Sequence, residues 1–261
     1  MAIYVTADIH GDPFGRFNTK NFYEQKEFGE NKEDNVVLQC GDFGIVWSYL
    51  GETPEEKYML DWLEQKNFTL AFVDGNHENH IRLNEYPVKE WKGGLVHEIR
   101  PNVLHLMRGE VYTIEGKKFF CFGGSSSHDI QDGILDQNDF KDFDEFTRTY
   151  KRWSKENRMF RVKNVSWWKE ELPSEEEMQN GIKNLEKHNW EVDFVISHCA
   201  PQQVASVFSH GLFKPDILTM YFDGLLNRGL KLKKWFFGHY HDNRQIMSKF
   251  IMLYEQIVRI L

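Results

Sequence analysis

Five short clusters of aspartate, asparagine, histidine and glycine each close a run of apolar, β-branched or aromatic residues, and nothing else in the chain constrains its fold as strongly. They are Asp8-Ile9-His10, ending the run from Ile3; Gly41-Asp42, after NVVLQC (35–40); Gly75-Asn76-His77-Glu78, after FTLAFVD (68–74); Ser197-His198, ending FVISH (194–198); and Gly238-His239-Tyr240-His241, ending KKWFFGHYH (233–241). Runs of this kind read as buried strands. Helical stretches are expected at roughly 17–29 and at 54–66, the second behind the start signal Thr53-Pro54-Glu55-Glu56. Strands alternating with helices imply right-handed crossovers and a parallel sheet, and such sheets build their sites at the carboxyl ends of the strands.

The segment 95–123 changes character. GGLVHEI, NVLHLM, GEVYTI and KKFFCFGG follow closely on one another with turn signals between them, which predicts a run of antiparallel strands. The strand pattern returns at 194–198, at 233–241 and in the closing stretch RQIMSKFIMLYEQIVRI. The expected architecture is two facing sheets flanked by helices. Residues about 128–190 are charged, with helical segments around 139–156 and 174–188 and no strand pairing expected; they read as a helical insertion in a single domain spanning 1–261. Trp167-Trp168 is expected to pack this insertion on the core. The 41% hydrophobic and 15% aromatic residues are enough for a sizeable core. A net charge of −8 leaves no footprint for broad nucleic-acid or membrane-surface binding. The start MAIYVTADIHGD is not a signal peptide, and no apolar stretch reaches the roughly 20 residues of a membrane span. Cys40, Cys121 and Cys199 are odd in number and widely spaced, which suits reduced, buried thiols in a cytoplasmic protein.

Side chains two apart in an extended segment point the same way, so Asp8 and His10, and likewise His239 and His241, form chelating pairs. Carboxylate, amide and imidazole donors together suit manganese, iron or zinc better than calcium or magnesium alone. No cysteine joins them, which argues against a structural zinc site. Each cluster alone is weak, since a lone D-x-H or G-D is commonly a turn and a lone strand-end histidine such as His198 is commonly a satisfied core residue. All five in this order, each after a strand, are strong.

This order resembles the calcineurin-like metallophosphoesterase superfamily, whose motifs run D-x-H, G-D, G-N-H-E/D, H and G-H-x-H. The resemblance covers roughly residues 1–125 and 190–255. It implies a four-layer α/β/β/α sandwich of two mixed sheets with the helical insertion outside the motifs, and a centre of two divalent or trivalent metal ions, manganese, iron or zinc. Carried over by motif, one ion takes Asp8, His10, Asp42 and His241, and the other takes Asp42, Asn76, His198 and His239, with Asp42 bridging. The implied reaction is hydrolysis of a phosphate mono- or diester: two cations about 3.5–4 Å apart share a hydroxide that attacks phosphorus, while His77, adjacent to Asn76, protonates the leaving group. Asp74 or Glu78 would orient His77. Asp12 would either hold His10 or cap a helix.

The sequence departs from the protein Ser/Thr phosphatase branch, whose G-D-x-V-D-R-G is here Gly41-Asp42-Phe43-Gly44-Ile45-Val46-Trp47. That branch also carries an arginine just before G-N-H-E, where this chain has Val73-Asp74, so two phosphate-holding arginines are missing. Replacements are sought in Ser127, within Gly123-Gly124-Ser125-Ser126-Ser127-His128-Asp129, and in Arg161, expected in a helical part of the insertion. A G-G-x-x-S segment with an arginine and W-W-x-E-E resembles a bacterial subgroup of the superfamily without assigned substrate. His80, His97, His105, His128 and His210 lie off the motifs and are read as non-ligands. The expected substrate is a small or nucleotide-like phosphate ester. The competing readings are a scaffold with an impaired site, as in a retromer subunit of this fold, and a nuclease, which the acidic charge disfavours.

Overall fold

The computed structural model describes residues 2–261. Its strands are β1 (Ala2–Thr6), β2 (Asn35–Cys40), β3 (Thr69–Val73), β4 (Val88–Trp91), β5 (Gly94–Arg100), β6 (Val103–Leu106), β7 (Glu110–Ile114), β8 (Lys117–Phe122), β9 (Gly133–Leu135), β10 (Phe160–Val162), β11 (Phe194–Ser197), β12 (Lys234–Phe237), β13 (Arg244–Ile246), β14 (Phe250–Met252) and β15 (Val258–Arg259). The helices are α1 (Pro13–Arg16), α2 (Pro54–Glu64), α3 (His80–Glu85), α4 (Phe143–Lys155), α5 (Glu175–Lys187), α6 (Gln202–Ser209) and α7 (Ile217–Asn227). One sheet has seven strands in the order β15-β1-β2-β3-β6-β5-β4, and another has six in the order β13-β14-β12-β11-β8-β7. Each has a parallel centre, β1-β2-β3-β6 in the first and β14-β12-β11-β8 in the second. Antiparallel strands complete the edges.

Strand periodicity explains how the two sheets stack. Ile3, Val5, Val36, Leu38 and Ala71 point inward and share one core with Phe119, Cys121, Phe194, Ile196 and Phe236 of the other sheet. The alternate residues Tyr4, Val37, Leu70 and Phe72 point outward onto Phe17, Phe22, Leu60, Leu63 and Leu83. On the other side, Phe120, Phe122, Val195, Trp235 and Phe237 pack on Leu185, Val204, Leu218, Phe222 and Leu225 from α5, α6 and α7. Successive side chains enter opposite faces, so strands that are apolar on both faces serve two cores at once, and the result is the expected four-layer α/β/β/α sandwich.

Four expectations are corrected. The helix read at 17–29 does not form: the short α1 ends before it at Arg16, and only a 3-10 turn over Tyr23–Glu27 falls within the segment. The 95–123 strands are two antiparallel pairs that fall in different sheets: β5 and β6 extend the first, and β7 and β8 build the second. The turn at Met107–Gly109 carries the chain across the core. The insertion is not purely helical, because β9 and β10 pair in parallel within it. Arg161 lies on β10, paired with Ile134, and not on a helix. Each of these strands is three residues long, too short to show a period in the sequence.

Candidate metal centre

The parallel centres of both sheets place all five clusters at one edge, in the crevice where the sheets meet. Backbone hydrogen bonds tie the loops together: Asp8 N donates to Gly41 O (3.2 Å), His10 N to Asp42 O (2.9 Å) and Gly238 N to His198 O (2.9 Å). Close approach fixes glycine where the loops cross. A Cβ on Gly75 would collide with the Asp42 carboxylate, and one on Gly238 with the Asp8 carboxylate.

Asp8, His10, Asp42, His239 and His241 all hold positive φ, between 47° and 71°. Left-handed backbone is costly for non-glycine residues and collects at functional sites. The chelating pairs therefore do not arise from strand alternation, as the sequence reading supposed; the strands end before them, and turns aim the side chains. His10 Nε2 lies 3.0 Å from His241 Nε2, 3.7 Å from Asp42 Oδ2 and 4.0 Å from Asp8 Oδ1. These four residues form one group able to hold an ion; Asp42, His198 and His239 form a second, with Asp42 common to both. The two histidines of Gly238-His239-Tyr240-His241 thus serve different groups.

Asn76 lies beside the second group, bonded to Asp42. Its Oδ1 is buried with no hydrogen-bond partner among the described residues, an arrangement that costs about 1–3 kcal/mol unless something fills it. Its backbone N–H donates to Asp42 Oδ1 (2.9 Å), as does that of His77 (3.0 Å). His198 donates from Nδ1 to Cys40 O (2.8 Å), which leaves Nε2 facing Asp42 Oδ1 at 3.2 Å. The charges have the same meaning. Burial and the neighbouring Asp42 push Asp8 up to about 7, against the pull of His198. Burial opposes charge on His198, yet Asp42 and its hydrogen bond push it up to about 10. Two buried carboxylates sharing a crevice call for positive charge between them, and His198 takes up a proton when nothing else supplies it. The donor set therefore fits two ions.

His77 stacks on Trp47, with centroids 5.6 Å apart, and faces His10 edge-on. Neither acid expected to orient it does so. Glu78 accepts from the backbone of Phe43, Gly44 and Gly75. Asp74 is held by Arg108, with His105 and His80 beside it. Arg161 supplies the missing contact: its guanidinium donates to His77 Nε2 (2.9 Å) and to Asn76 O (2.9 Å), and pairs with Asp129 at 2.6 Å. At 5% exposure it is no surface ion pair. Since arginine only donates, His77 Nε2 is unprotonated here, and burial lowers its pKa.

A cavity of about 330 Å³ lies over these groups, lined by Asp42, Asn76, His77, His128, Asp129, Arg161, Phe213, His239, Tyr240 and His241. Ser127 is absent from it; its amide and hydroxyl bond the Glu171 carboxylate (3.0 and 2.6 Å), fastening the 123–129 loop to the insertion. His128, read as a non-ligand off the motifs, touches His239 ring to ring. Its signal was its place after β8, whose C-terminal end lies beside that of β11. His80, His97 and His105 stay behind Asp74 and line a separate, larger cavity of about 670 Å³ that contains none of the candidate ligands. Asp12 caps α1, accepting from Gly15 N (2.8 Å). Trp168 is buried, as expected, and packs edge-on against Trp47. Cys40, Cys121 and Cys199 are buried and unbridged.

A model of the calcineurin-like phosphoesterases matches residues 1–243. The chain belongs to that family. Comparison with curated proteins found no match. The matched span includes all five clusters. The family typically binds divalent metals, and this chain offers two groups of side chains for such ions. Among the described residues no helix is long and apolar enough to cross a membrane.

Proposed function

We propose that the protein is a dinuclear metal-dependent hydrolase of small phosphate mono- or diesters. The observation that carries this reading is the buried Asn76 Oδ1, with no partner of its own, beside two carboxylate–histidine groups that share Asp42. Asp8, His10, Asp42 and His241 would hold one ion, and Asp42, Asn76, His198 and His239 the other. Manganese, iron or zinc suits these donors. When bound, such ions supply a water activated near neutral pH and offset the charge that develops on phosphorus oxygens.

The chain's own residues would do the rest. The Arg161 guanidinium lines the cavity over the groups, in a position to hold phosphate oxygens in place of the two arginines the motifs lack. Taking up phosphate would draw Arg161 off His77 Nε2, freeing that nitrogen to take a proton from solvent and pass it to the leaving group. Residues 1–261 are read as one domain with an insertion that covers the crevice. The net charge of −8 disfavours nucleic acid as substrate.

Turnover of an aryl phosphate and of an aryl phosphodiester with added manganese, alongside metal analysis, tests this. Asp42→Asn removes the only carboxylate common to both groups and should nearly abolish turnover while lowering bound metal. Full occupancy with normal turnover in that variant overturns the assignment.

A further inference from the structure

His239 uses its two ring nitrogens differently. Nδ1 lies 3.2 Å from His198 Nε2, on the side of the group it shares with Asp42. Nε2 faces away, 2.9 Å from the Ser125 hydroxyl and in contact with His128 Nε2. A neutral imidazole binds an ion only through the nitrogen without hydrogen. If Nδ1 binds, Nε2 carries the hydrogen and must donate it, and the hydroxyl of Ser125, 2% exposed, is in place to accept it, with His128 Nε2 beside it. Ser125 is itself held by the insertion, its amide donating to Glu171 O (3.1 Å). On the other side of the crevice Arg161 fixes the carbonyl of Asn76. Both contacts fall on donors of one group. Among the described residues, no hydrogen bond or ion pair from 123–190 reaches Asp8, His10 or His241. His241 instead stacks on Tyr254 of the core, with ring centroids 4.8 Å apart, and faces His10.

We propose that the insertion, with the loop leading into it, is a positioning device for one metal position only: it sets the tautomer and aim of His239 through Ser125 and anchors Asn76 through Arg161, so that occupancy of the Asp42–Asn76–His198–His239 position depends on the insertion being seated. The other position is built by the core alone. This rests on the two-ion reading above, and the experiment separates the two.

Metal-free protein is titrated with manganese, and stoichiometry and affinity are read by calorimetry and elemental analysis, independently of turnover. The unaltered protein should take two ions. Partners that orient ligating histidines are typically worth about 10- to 100-fold in metal affinity, so Ser125→Ala should weaken one of the two ions by about that factor and leave the other within about twofold. Ser125→Thr, which keeps the hydroxyl, should restore it. At manganese concentrations that leave Ser125→Ala with one ion, adding His239→Ala should still leave one, and adding His241→Ala should leave almost none. Two ions of unaltered affinity in Ser125→Ala overturn the inference, as does the reverse pattern in the double variants. Failure of the unaltered protein to bind manganese, zinc or iron overturns the two-ion reading and this inference with it. A melting temperature for each metal-free variant matching the unaltered protein shows that a loss of metal is local.

Discussion

At the scale of single residues, the site was legible wherever a motif forces a backbone. Asp8, His10, Asp42, Asn76, His198, His239 and His241 were expected together and lie together, because parallel strands deliver their C-terminal ends to one edge. What the sequence hides is what each side chain leans on. Asp74 and Glu78 are acids next to His77 in sequence, yet both turn away, and the contact comes from 84 residues further on, at Arg161. Arg161→Ala, with manganese saturating, should lower kcat/KM by about 10- to 150-fold, since a hydrogen bond to a charged group is worth about 1.5–3 kcal/mol. Steady-state kinetics with metal content held equal measure this; unchanged kinetics would make Arg161 a packing residue. His77→Ala should hurt esters of poor leaving groups much more than a nitrophenyl ester, whose phenolate leaves without a proton. Equal losses on both would remove His77 from the role of acid.

At the scale of elements, long signals were readable and short ones were not. The helix at 54–66 was plain because Thr53 and Glu56 cap it reciprocally behind Pro54, and Glu56 also ties down the Trp47–Ser48 loop beside the site. In the segment 17–29, Phe17, Phe22 and Phe28 pack together with Phe68 in an irregular turn, so tertiary burial overrides local preference. The strand pattern at 95–123 was visible, but its division between two sheets depends on which distant strand each pair meets. The insertion was the least legible, since its pairing of β9 with β10 bridges a whole helix. Its seat on the core is Trp168, 1% exposed, against Trp47. Trp168→Ala should cost roughly 3–5 kcal/mol of unfolding free energy in a single denaturant transition. A second, earlier transition with the main midpoint unmoved would show that the insertion unfolds apart from the core.

At the scale of the whole molecule, the fold gathers acids where burial makes them costly, and metal should be what makes that tolerable. Asp8 has a pKa of about 7 in the folded metal-free protein against an ordinary 3.8, and His198 about 10 against 6.5. Both are raised on folding, so the folded state holds these protons more tightly than the unfolded one. The stability they contribute is full below the ordinary values and is lost as pH climbs, through about 4 to 7 for Asp8 and about 6.5 to 10 for His198. Burial lowers His10 to about 4, so it is already neutral over most of that range and has no proton to yield. Ions that displace the Asp8 and His198 protons bind more tightly as pH rises, by about tenfold per pH unit for each proton released. Stabilisation by ligand grows with the logarithm of that affinity. The melting temperature of the manganese-loaded protein minus that of the chelated protein should therefore widen steadily from pH 5 to pH 8 at fixed free manganese. Taking the difference cancels titrations that metal does not touch, such as those of His80 and His97 behind Asp74. Calorimetry at pH 6 in buffers of different ionisation heat should in parallel show protons leaving as manganese binds. A difference that narrows with pH, or binding without proton release, would mean that the ions do not enter between Asp8, Asp42 and His198.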